Sequence, residues 1–334
     1  DNSGNLWITT VDGLNLYDPA TETFTRFYPD ADNPDRANFN IFAISESSLG
    51  GYWFGTREGL VYFNPTTEQF LTYRHDPADP NSLSDNFVPA VLEDSSGNLW
   101  AATFQDGLNR LVTPLSDIQK NIETGETSPL QFERVLLDED EETNRVNHIM
   151  EDSAGTRWFG TRNGLAKLTS NQSPFVIYRR DTADPYSLSD NQIGTILEDR
   201  QGYLWIGTFS GGLNQLDPES GKFRHYRNDG QPDGLRADSV VDLHEDAQGL
   251  LWISTGVNGI DILDRRPLAF GYFRQESGDP GSLSHSKVNA VWEGEDGDLW
   301  IGTEKGLNHL VADAVPRFEH FYHDPNDTSS LSSD

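Results

Sequence analysis

Two sets of residues in this sequence have side chains suited to catalysis or binding. The first set is His148 and Asp242, with Thr195 lying between them along the chain. A histidine oriented by a carboxylate can act as a general base. However, no serine nucleophile stands in an equivalent place, and packed or hydrated polar residues explain the three side chains more simply. We therefore assign no catalytic residue and predict that the chain is not an enzyme.

The second set consists of aromatic, amide and cationic residues that follow or precede similar apolar segments. Aromatic rings stack on the CH faces of sugars, and guanidinium groups bind carboxylates through paired hydrogen bonds. Taken one at a time, the same residues are also explained as ordinary solvated loop residues. As a set, we predict that they bind a ligand. They are Arg57, Phe104, Gln105, Arg162, Phe209 and Lys305, together with Arg145 and Lys287.

These positions are equivalent because the sequence repeats. Seven tryptophans lie 46, 47, 58, 47, 47 and 48 residues apart, at Trp7, Trp53, Trp100, Trp158, Trp205, Trp252 and Trp300. Each opens a unit with a glycine a few residues later, and six units continue with a Phe-x-x-aromatic segment. Apolar pairs such as Val88 and Val91 precede the next tryptophan. Four short strands per unit predict the blades of a β-propeller. A linear solenoid is the alternative, but no unit has the character of a polar cap.

The fold class predicted is therefore all-β, a single seven-bladed β-propeller over residues 1–334 with four-stranded antiparallel blades. Asp1 aligns with Asp94 and Asp334 aligns with Asn86, so the inner strand of the closing blade is missing from this chain. We expect the native polypeptide to continue past both ends. The loops after the tryptophan strands would surround the mouth of a central channel. His148, Thr195 and Asp242 would line that channel at one level.

Two local features give further expectations. The spacing of 58 residues locates an insertion around 112–131, which we expect to be an exposed excursion. A glutamate recurs just before each hairpin turn, for example at Glu93 and Glu151. Its recurrence favours a local structural task, the acceptance of backbone N–H groups near the hairpin, over a ring of cation ligands.

Charge and composition exclude several classes of protein. The net charge of −30 disfavours nucleic acid or an anionic membrane as a partner, because both require a basic surface. There is no run of about 18 apolar residues, so we predict no direct membrane insertion. The chain has no cysteine, and its histidines lack metal-ligand spacing. We predict no metal and no cofactor.

The repeat resembles a known family. Residues 198–208 (EDRQGYLWIGT) and 211–218 (GGLNQLDP) are similar to two-component regulator propeller repeats, and residues 184–191 (DPYSLSDN) are similar to the segment that joins their blades. The resemblance covers nearly the whole chain. It is weaker in the third unit, where residues 138–142 are acidic and Ala101 and Ala102 replace Ile-Gly.

The resemblance implies a ligand-sensing domain on the periplasmic or extracellular side of a bacterial inner-membrane receptor. It implies flanking receptor domains, compatibility with a homodimer of the full-length receptor, and a carbohydrate or other polar small ligand. One alternative is a propeller lyase or hydrolase that acts on acidic polysaccharide through His148 and Asp242. Another is a protein-interaction platform, which would need a broad apolar patch that these loops do not contain.

Overall fold

The structure is a computed structural model. It describes residues 4–10, 13–28, 40–104, 107–125, 128–170, 174–218, 220–230, 234–265, 268–294, 297–311 and 316–334. The structural statements that follow concern these residues. The predicted ligand residue Gln105 lies outside them.

The chain is all-β apart from one helix, and its seven antiparallel sheets are the blades of a β-propeller, which confirms the predicted fold class. Six sheets have four strands, and the sheet β1–β3 has three among the described residues. The strands, sheet by sheet, are β1 (Leu6–Thr10), β2 (Gly13–Asp18) and β3 (Thr23–Phe27); β4 (Ile41–Ser47), β5 (Gly51–Thr56), β6 (Gly59–Asn64) and β7 (Gln69–Tyr73); β8 (Ala90–Glu93), β9 (Leu99–Thr103), β10 (Gly107–Leu111) and β11 (Phe132–Val135); β12 (Val146–Glu151), β13 (Arg157–Thr161), β14 (Gly164–Leu168) and β15 (Val176–Tyr178); β16 (Ile193–Glu198), β17 (Leu204–Thr208), β18 (Leu213–Leu216) and β19 (Phe223–Tyr226); β20 (Val240–Glu245), β21 (Leu251–Thr255), β22 (Gly259–Arg265) and β23 (Leu268–Phe273); β24 (Val288–Glu293), β25 (Leu299–Thr303), β26 (Gly306–Val311) and β27 (Arg317–Phe321).

The chain divides into two compact units. The first unit contains Asp1–Leu6, Tyr17–Thr25 and Tyr178–Asp334, and therefore the sheets β16–β19, β20–β23 and β24–β27. The second unit contains Trp7–Leu16 and Arg26–Ile177, and therefore the sheets β4–β7 and β8–β11 and most of β12–β15. Within each unit, the first strands of successive sheets contact one another.

Four of the recurring tryptophans lie in apolar layers between successive sheets of one unit, namely Trp53, Trp100, Trp205 and Trp252. In the second unit, Trp53 packs with Tyr73, Leu99 and Phe132. In the first unit, Trp252 packs with Val288 and with apolar residues of the strands that follow Val288. Six of the seven tryptophans are at most 5 % exposed, and Trp7 is partly buried. Burial of such large side chains contributes most of the apolar free energy of each layer.

The glycine at or just before the start of the strand that follows each tryptophan strand is required by its backbone conformation. Gly59 has a φ of 131°, which L-residues rarely adopt. A Cβ atom on Gly59 would collide with the carbonyl oxygen of Tyr73 on the neighbouring strand. This explains why a glycine recurs at that position in all seven sequence repeats.

The insertion after β10 is not an exposed excursion, and that expectation is wrong. Residues Leu115–Thr124 form the helix α1. Its residues Ile118 and Ile122 are buried in the same layer as Trp53 and Tyr73. Side chains four positions apart lie on one face of a helix, so the pair gives α1 an apolar stripe that packs against the sheets.

Four of the hairpin turns between the first and second strands are built around an aspartate. Asp94, Asp152, Asp199 and Asp246 each accept a hydrogen bond from the indole Nε1 of the following tryptophan, at 2.7–2.9 Å. Each of these carboxylates also accepts backbone N–H groups of its own turn, as the 2.8 Å bond from Asn98 N to Asp94 illustrates. The turn and the buried tryptophan are thereby fixed together.

Glutamates at the ends of the first strands connect successive sheets. Glu151 accepts hydrogen bonds from the backbone N and the Oγ of Ser95, in the turn of the preceding sheet. Glu245 and Glu293 accept the equivalent backbone N–H of Arg200 and Ala247. The predicted structural task of the recurrent glutamate is confirmed at these positions.

Glu93 carries the largest share of this work and provides a test. It accepts hydrogen bonds from Ser47 Oγ (2.7 Å), Ser48 N (2.9 Å) and Trp53 Nε1 (3.0 Å). Glu93→Ala should lower the free energy of unfolding by about 2 kcal/mol, because the buried Trp53 indole loses its acceptor. Urea denaturation would measure the loss, with Glu141→Ala, at an exposed acidic position, as the control. Equal midpoints for both variants would contradict the assignment.

Candidate functional site

Loop residues that follow the second strands are held beside the residues that precede the first strands. In each of six sheets, the backbone N–H of the first loop residue after the second strand donates to the carbonyl of a residue just before the first strand, at 3.0–3.2 Å. A buried threonine ends each of these second strands, and Thr103 Oγ1, for example, donates to the carbonyl of Gly107 at 2.9 Å. We call the two bonded residues a mouth pair. The mouth pairs are Arg57 with Asn40, Phe104 with Phe87, Arg162 with Arg145, Phe209 with Gln192, Gly256 with Ser239, and Glu304 with Lys287.

Two successive mouth pairs in the second unit form a continuous set of contacts with Phe42. The ring centroids of Phe42 and Phe87 are 4.8 Å apart, and those of Phe87 and Phe104 are 5.1 Å apart and stacked. The guanidinium carbon of Arg162 lies 4.6 Å from the Phe104 centroid, and that of Arg145 lies 6.0 Å from it. We call these five residues the Phe–Arg row. Its members come from three sheets, so the fold brings together residues that are far apart in sequence.

Phe42 reaches the row because of a β-bulge. The register between β4 and β5 shifts between Ile41 and Ala43, which leaves Phe42 as an extra residue on the first strand. Bulges redirect a side chain away from the regular alternation of a strand. Phe42 is accordingly 48 % exposed, although it stands within a strand.

The row combines an aromatic surface with two positive charges. Phe87, Phe104, Arg145 and Arg162 are all half-buried, so their side chains are held by neighbours while part of each meets solvent. Arg145 Nη1 forms an ion pair with Glu142 Oε1 at 2.7 Å, which orients the Arg145 guanidinium. Such a surface can stack on a sugar ring or another flat ligand and can donate hydrogen bonds to hydroxyl or carboxylate oxygens.

The structure brings together three of the predicted ligand residues, Phe104, Arg145 and Arg162. Arg57 belongs to the same unit, but its side chain is exposed and its described bond is the one in its own mouth pair. In the first unit, Phe209 is 41 % exposed, Lys287 forms an ion pair with Glu304, and Lys305 is exposed.

Phe42 and Phe87 were not among the predicted residues. Phe87 occupies the position before the first strand of its sheet that Arg145 and Lys287 occupy in their own sheets. A comparison of that position across all units would have found it. Phe42 also stands at a recurring position, because the same register shift occurs in β12, β16, β20 and β24, but the sequence does not show that this bulge redirects the side chain.

The three polar residues on the first strands are each held by their own surroundings. His148, in the second unit, is half-buried, and burial lowers its pKa to about 4, so its ring is neutral at neutral pH. In the first unit, Thr195 is buried. Asp242 accepts backbone hydrogen bonds from Leu243 (2.9 Å) and from Val291 of the next sheet (3.3 Å). Burial raises the pKa of Asp242 to about 6, although these two bonds oppose the shift.

Comparisons with known proteins agree with the repeat. The model of the family described as "Two component regulator propeller" matches residues 82–105, 187–210 and 234–256. A search of curated proteins found no significant match. No helix among the described residues has the length and apolarity needed to cross a membrane.

Several solved structures have a similar fold. The extracellular domain of a protein described as a hybrid two component system from B. thetaiotaomicron is 22 % identical over 99 % of this chain and 41 % of its own length, with a TM-score of 0.70. A second B. thetaiotaomicron extracellular domain, described as that of a one component system, is 20 % identical over 96 % of this chain and 47 % of its own, with a TM-score of 0.52. The chain thus spans less than half the length of either domain. Virginiamycin B lyase from Staphylococcus aureus is 15 % identical over 85 % of each chain, with a TM-score of 0.60.

Proposed function

The chain carries two-component regulator propeller repeats, and from this premise we propose that it is the extracytoplasmic ligand-sensing domain of a bacterial signal-transduction receptor. The likeness to extracellular domains of such systems supports this proposal. Flanking receptor domains would carry the signal onwards, and a homodimer of the full receptor would be a suitable form. A ligand can signal only if it binds one of two receptor arrangements more tightly than the other.

The Phe–Arg row is the proposed ligand site, and its ligand is a carbohydrate or another polar small molecule. The observation that carries the proposal is the unbroken series of ring contacts from Phe42 to Phe104, which ends under the Arg162 guanidinium. Three aromatic rings in contact at a partly exposed surface offer a sugar a stacking platform. The adjoining arginines would select ligands with oxygen acceptors. Arg57, Gln105, Phe209, Lys287 and Lys305 remain proposed ligand residues.

Binding measurements on two row variants test this site. Phe104→Ala and Arg162→Ala should each weaken binding of the responsive oligosaccharide at least about tenfold, since one removes the central ring and the other a charged donor. The ligand would first be identified by thermal shift with a panel of neutral and acidic oligosaccharides. Calorimetry would then give the affinities.

Arg134→Ala is the matched control, because Arg134 is an exposed arginine on the outer strand β11 of the same unit. It should leave the affinity unchanged. Unaltered affinity in both row variants would refute the row as the ligand site.

An enzyme remains the competing proposal, and the likeness in fold to virginiamycin B lyase is the observation that favours it. In that case His148 and Asp242 would act on an acidic polysaccharide. Incubation of the protein with acidic oligosaccharides, followed by chromatography of the products, separates the two proposals. Cleavage that is lost in His148→Ala would support the enzyme, whereas a thermal shift without products would support the sensor.

A further inference from the structure

The sheet β20–β23 departs from three other sheets at a position where those three carry a serine. Backbone N–H groups of Ser84, Ser189 and Ser284 donate to the side-chain oxygens of Asn109, Asn214 and Asn308 at 2.7–3.1 Å. In β20–β23 the same bond runs from Arg236 N to Asp261 Oδ2 at 2.9 Å. A small buried serine and a neutral amide are thus replaced by an arginine and an aspartate.

A third departure lies directly opposite Asp261. Tyr272 pairs with Asp261 in the sheet, whereas His225 and His320 occupy the equivalent places opposite their asparagines. Those two histidines contact the carbonyls of Ser187 and Ser282 through Nε2. Tyr272 instead lies beneath two arginines, with its ring centroid 4.5 Å from the Arg236 guanidinium carbon and 5.5 Å from that of Arg274.

The backbone at Arg236 is fixed from two further sides. Its carbonyl accepts hydrogen bonds from Asn228 Nδ2 (3.0 Å) and from Asn258 Nδ2 (2.9 Å). Three side chains therefore hold one residue in place. A guanidinium on a fixed backbone loses less conformational freedom when it binds a ligand.

These residues open onto a cavity of about 690 Å³. Arg236, Asn258, Tyr272, Arg274 and Glu276 line it. Arg274 Nε lies 3.2 Å from Glu276 Oε1, and both side chains are half exposed. Two guanidinium groups and one carboxylate line the cavity, and the buried carboxylate of Asp261 also interacts with Arg236, in a protein with a net charge of −30.

We propose that this cavity binds an anionic sugar residue, whose carboxylate or sulfate group pairs with Arg236 and Arg274 beside Tyr272. Guanidinium groups match the planar, paired geometry of carboxylates and the oxygens of sulfates. Packing accounts for the residues that recur from sheet to sheet, whereas Arg236 and Tyr272, two of the three departures in β20–β23, line one cavity. The proposal is independent of the Phe–Arg row, since it concerns other residues in the first unit.

Calorimetry on the full chain tests the proposal with three probes: a tetramer of galacturonic acid, a κ-carrageenan tetrasaccharide that carries sulfate without carboxylate, and neutral maltotetraose. A salt concentration of about 0.15 M screens the overall negative charge beyond about 8 Å. Arg236→Ser introduces the residue found in three other sheets and should weaken binding of the anionic probe at least about tenfold. Arg274→Ala should have a similar effect.

Arg224→Ala is the matched control, because Arg224 also lies over a tyrosine, 5.0 Å from the Tyr226 centroid, but outside this cavity. It should leave the affinity unchanged. Binding of the galacturonate probe assigns a carboxylate ligand, and binding of the carrageenan probe assigns a sulfate ligand. Failure of both probes to bind, or equal binding of maltotetraose, would overturn the proposal. If Phe104→Ala removes binding while Arg236→Ser does not, the probe occupies the Phe–Arg row, and this inference fails while the proposed function stands.

Discussion

Asp94→Ala is expected to lower the free energy of unfolding by about 3–5 kcal/mol. The Asp94 side chain is fully buried, and its carboxylate accepts hydrogen bonds from Trp100 Nε1 at 2.9 Å and from both nitrogens of Asn98. It also pairs with Arg157 Nη1 of the next sheet at 3.1 Å. The substitution therefore removes the acceptor of several buried donors at once.

The charge left behind accounts for most of this loss. Arg157 is only 5 % exposed, and its Nε has no hydrogen-bond partner among the described residues. Without Asp94, a buried guanidinium would lose its counter-charge. Removal of one member of a buried pair is far more costly than removal of both, because an uncompensated charge remains.

Asp199→Ala provides the matched comparison. Asp199 accepts the indole N–H of Trp205 at 2.7 Å and the backbone N–H groups of its turn, as Asp94 does in its own turn. However, the sheet that follows Asp199 has Leu251 at the position that Arg157 occupies in the sheet that follows Asp94. We expect a loss of about 1–3 kcal/mol for Asp199→Ala in urea denaturation. Equal losses for the two variants would mean that the ion pair adds nothing to the turn.

Acid sensitivity should follow from the same contacts. Burial raises the pKa of Asp94, but the hydrogen bonds from Trp100, Asn98 and Arg157 outweigh burial and hold it below its usual value. A group whose pKa is lower in the folded state contributes stability above its unfolded pKa and loses it on acidification. Below about pH 4, the difference in stability between the wild type and Asp94→Asn should therefore shrink.

The fold could be predicted from the sequence because its determinants recur. The tryptophan at the second strand and the glycine at a positive φ appear in every unit, so periodicity alone reports the sheets. The helix α1 has no such repetition. Its apolar pair Ile118 and Ile122 spans little more than one turn, too short to be distinguished from a loop before the layer that buries it is known.

The candidate site was predictable where it follows the repeat and hidden where it does not. Phe104, Arg145 and Arg162 vary at repeated positions, which marks them as free from packing constraints. Phe42 depends on a bulge, and a bulge changes the direction of a side chain without a change in sequence spacing. The contacts of Arg236 depend on hydrogen bonds from Asp261, Asn228 and Asn258, whose convergence only the folded chain reveals.

Asp261→Asn is expected to raise the free energy of unfolding by about 2–3 kcal/mol at pH 8. Asp261 is only 1 % exposed, and burial raises its pKa to about 6, although the backbone N–H and the charge of Arg236 oppose the shift. In four other sheets the equivalent residue is an asparagine that also donates through Nδ2, as Asn308 does to the carbonyl of Ile301 at 3.0 Å. Ile253 is the residue paired with Asp261 in the sheet, and an ionised carboxylate has no proton to donate to its carbonyl.

The pH dependence of this gain identifies its cause. Because the folded-state pKa lies above the unfolded value of 3.8, Asp261 favours folding at low pH and loses that contribution as the pH rises through about 6. The advantage of Asp261→Asn should therefore be small at pH 4 and complete at pH 8. Urea midpoints of both proteins at the two pH values would measure it, with Asp181→Asn at an exposed turn as the control. A gain of the same size at pH 4 would show that the new amide hydrogen bond, and not the removal of a buried charge, stabilises the variant.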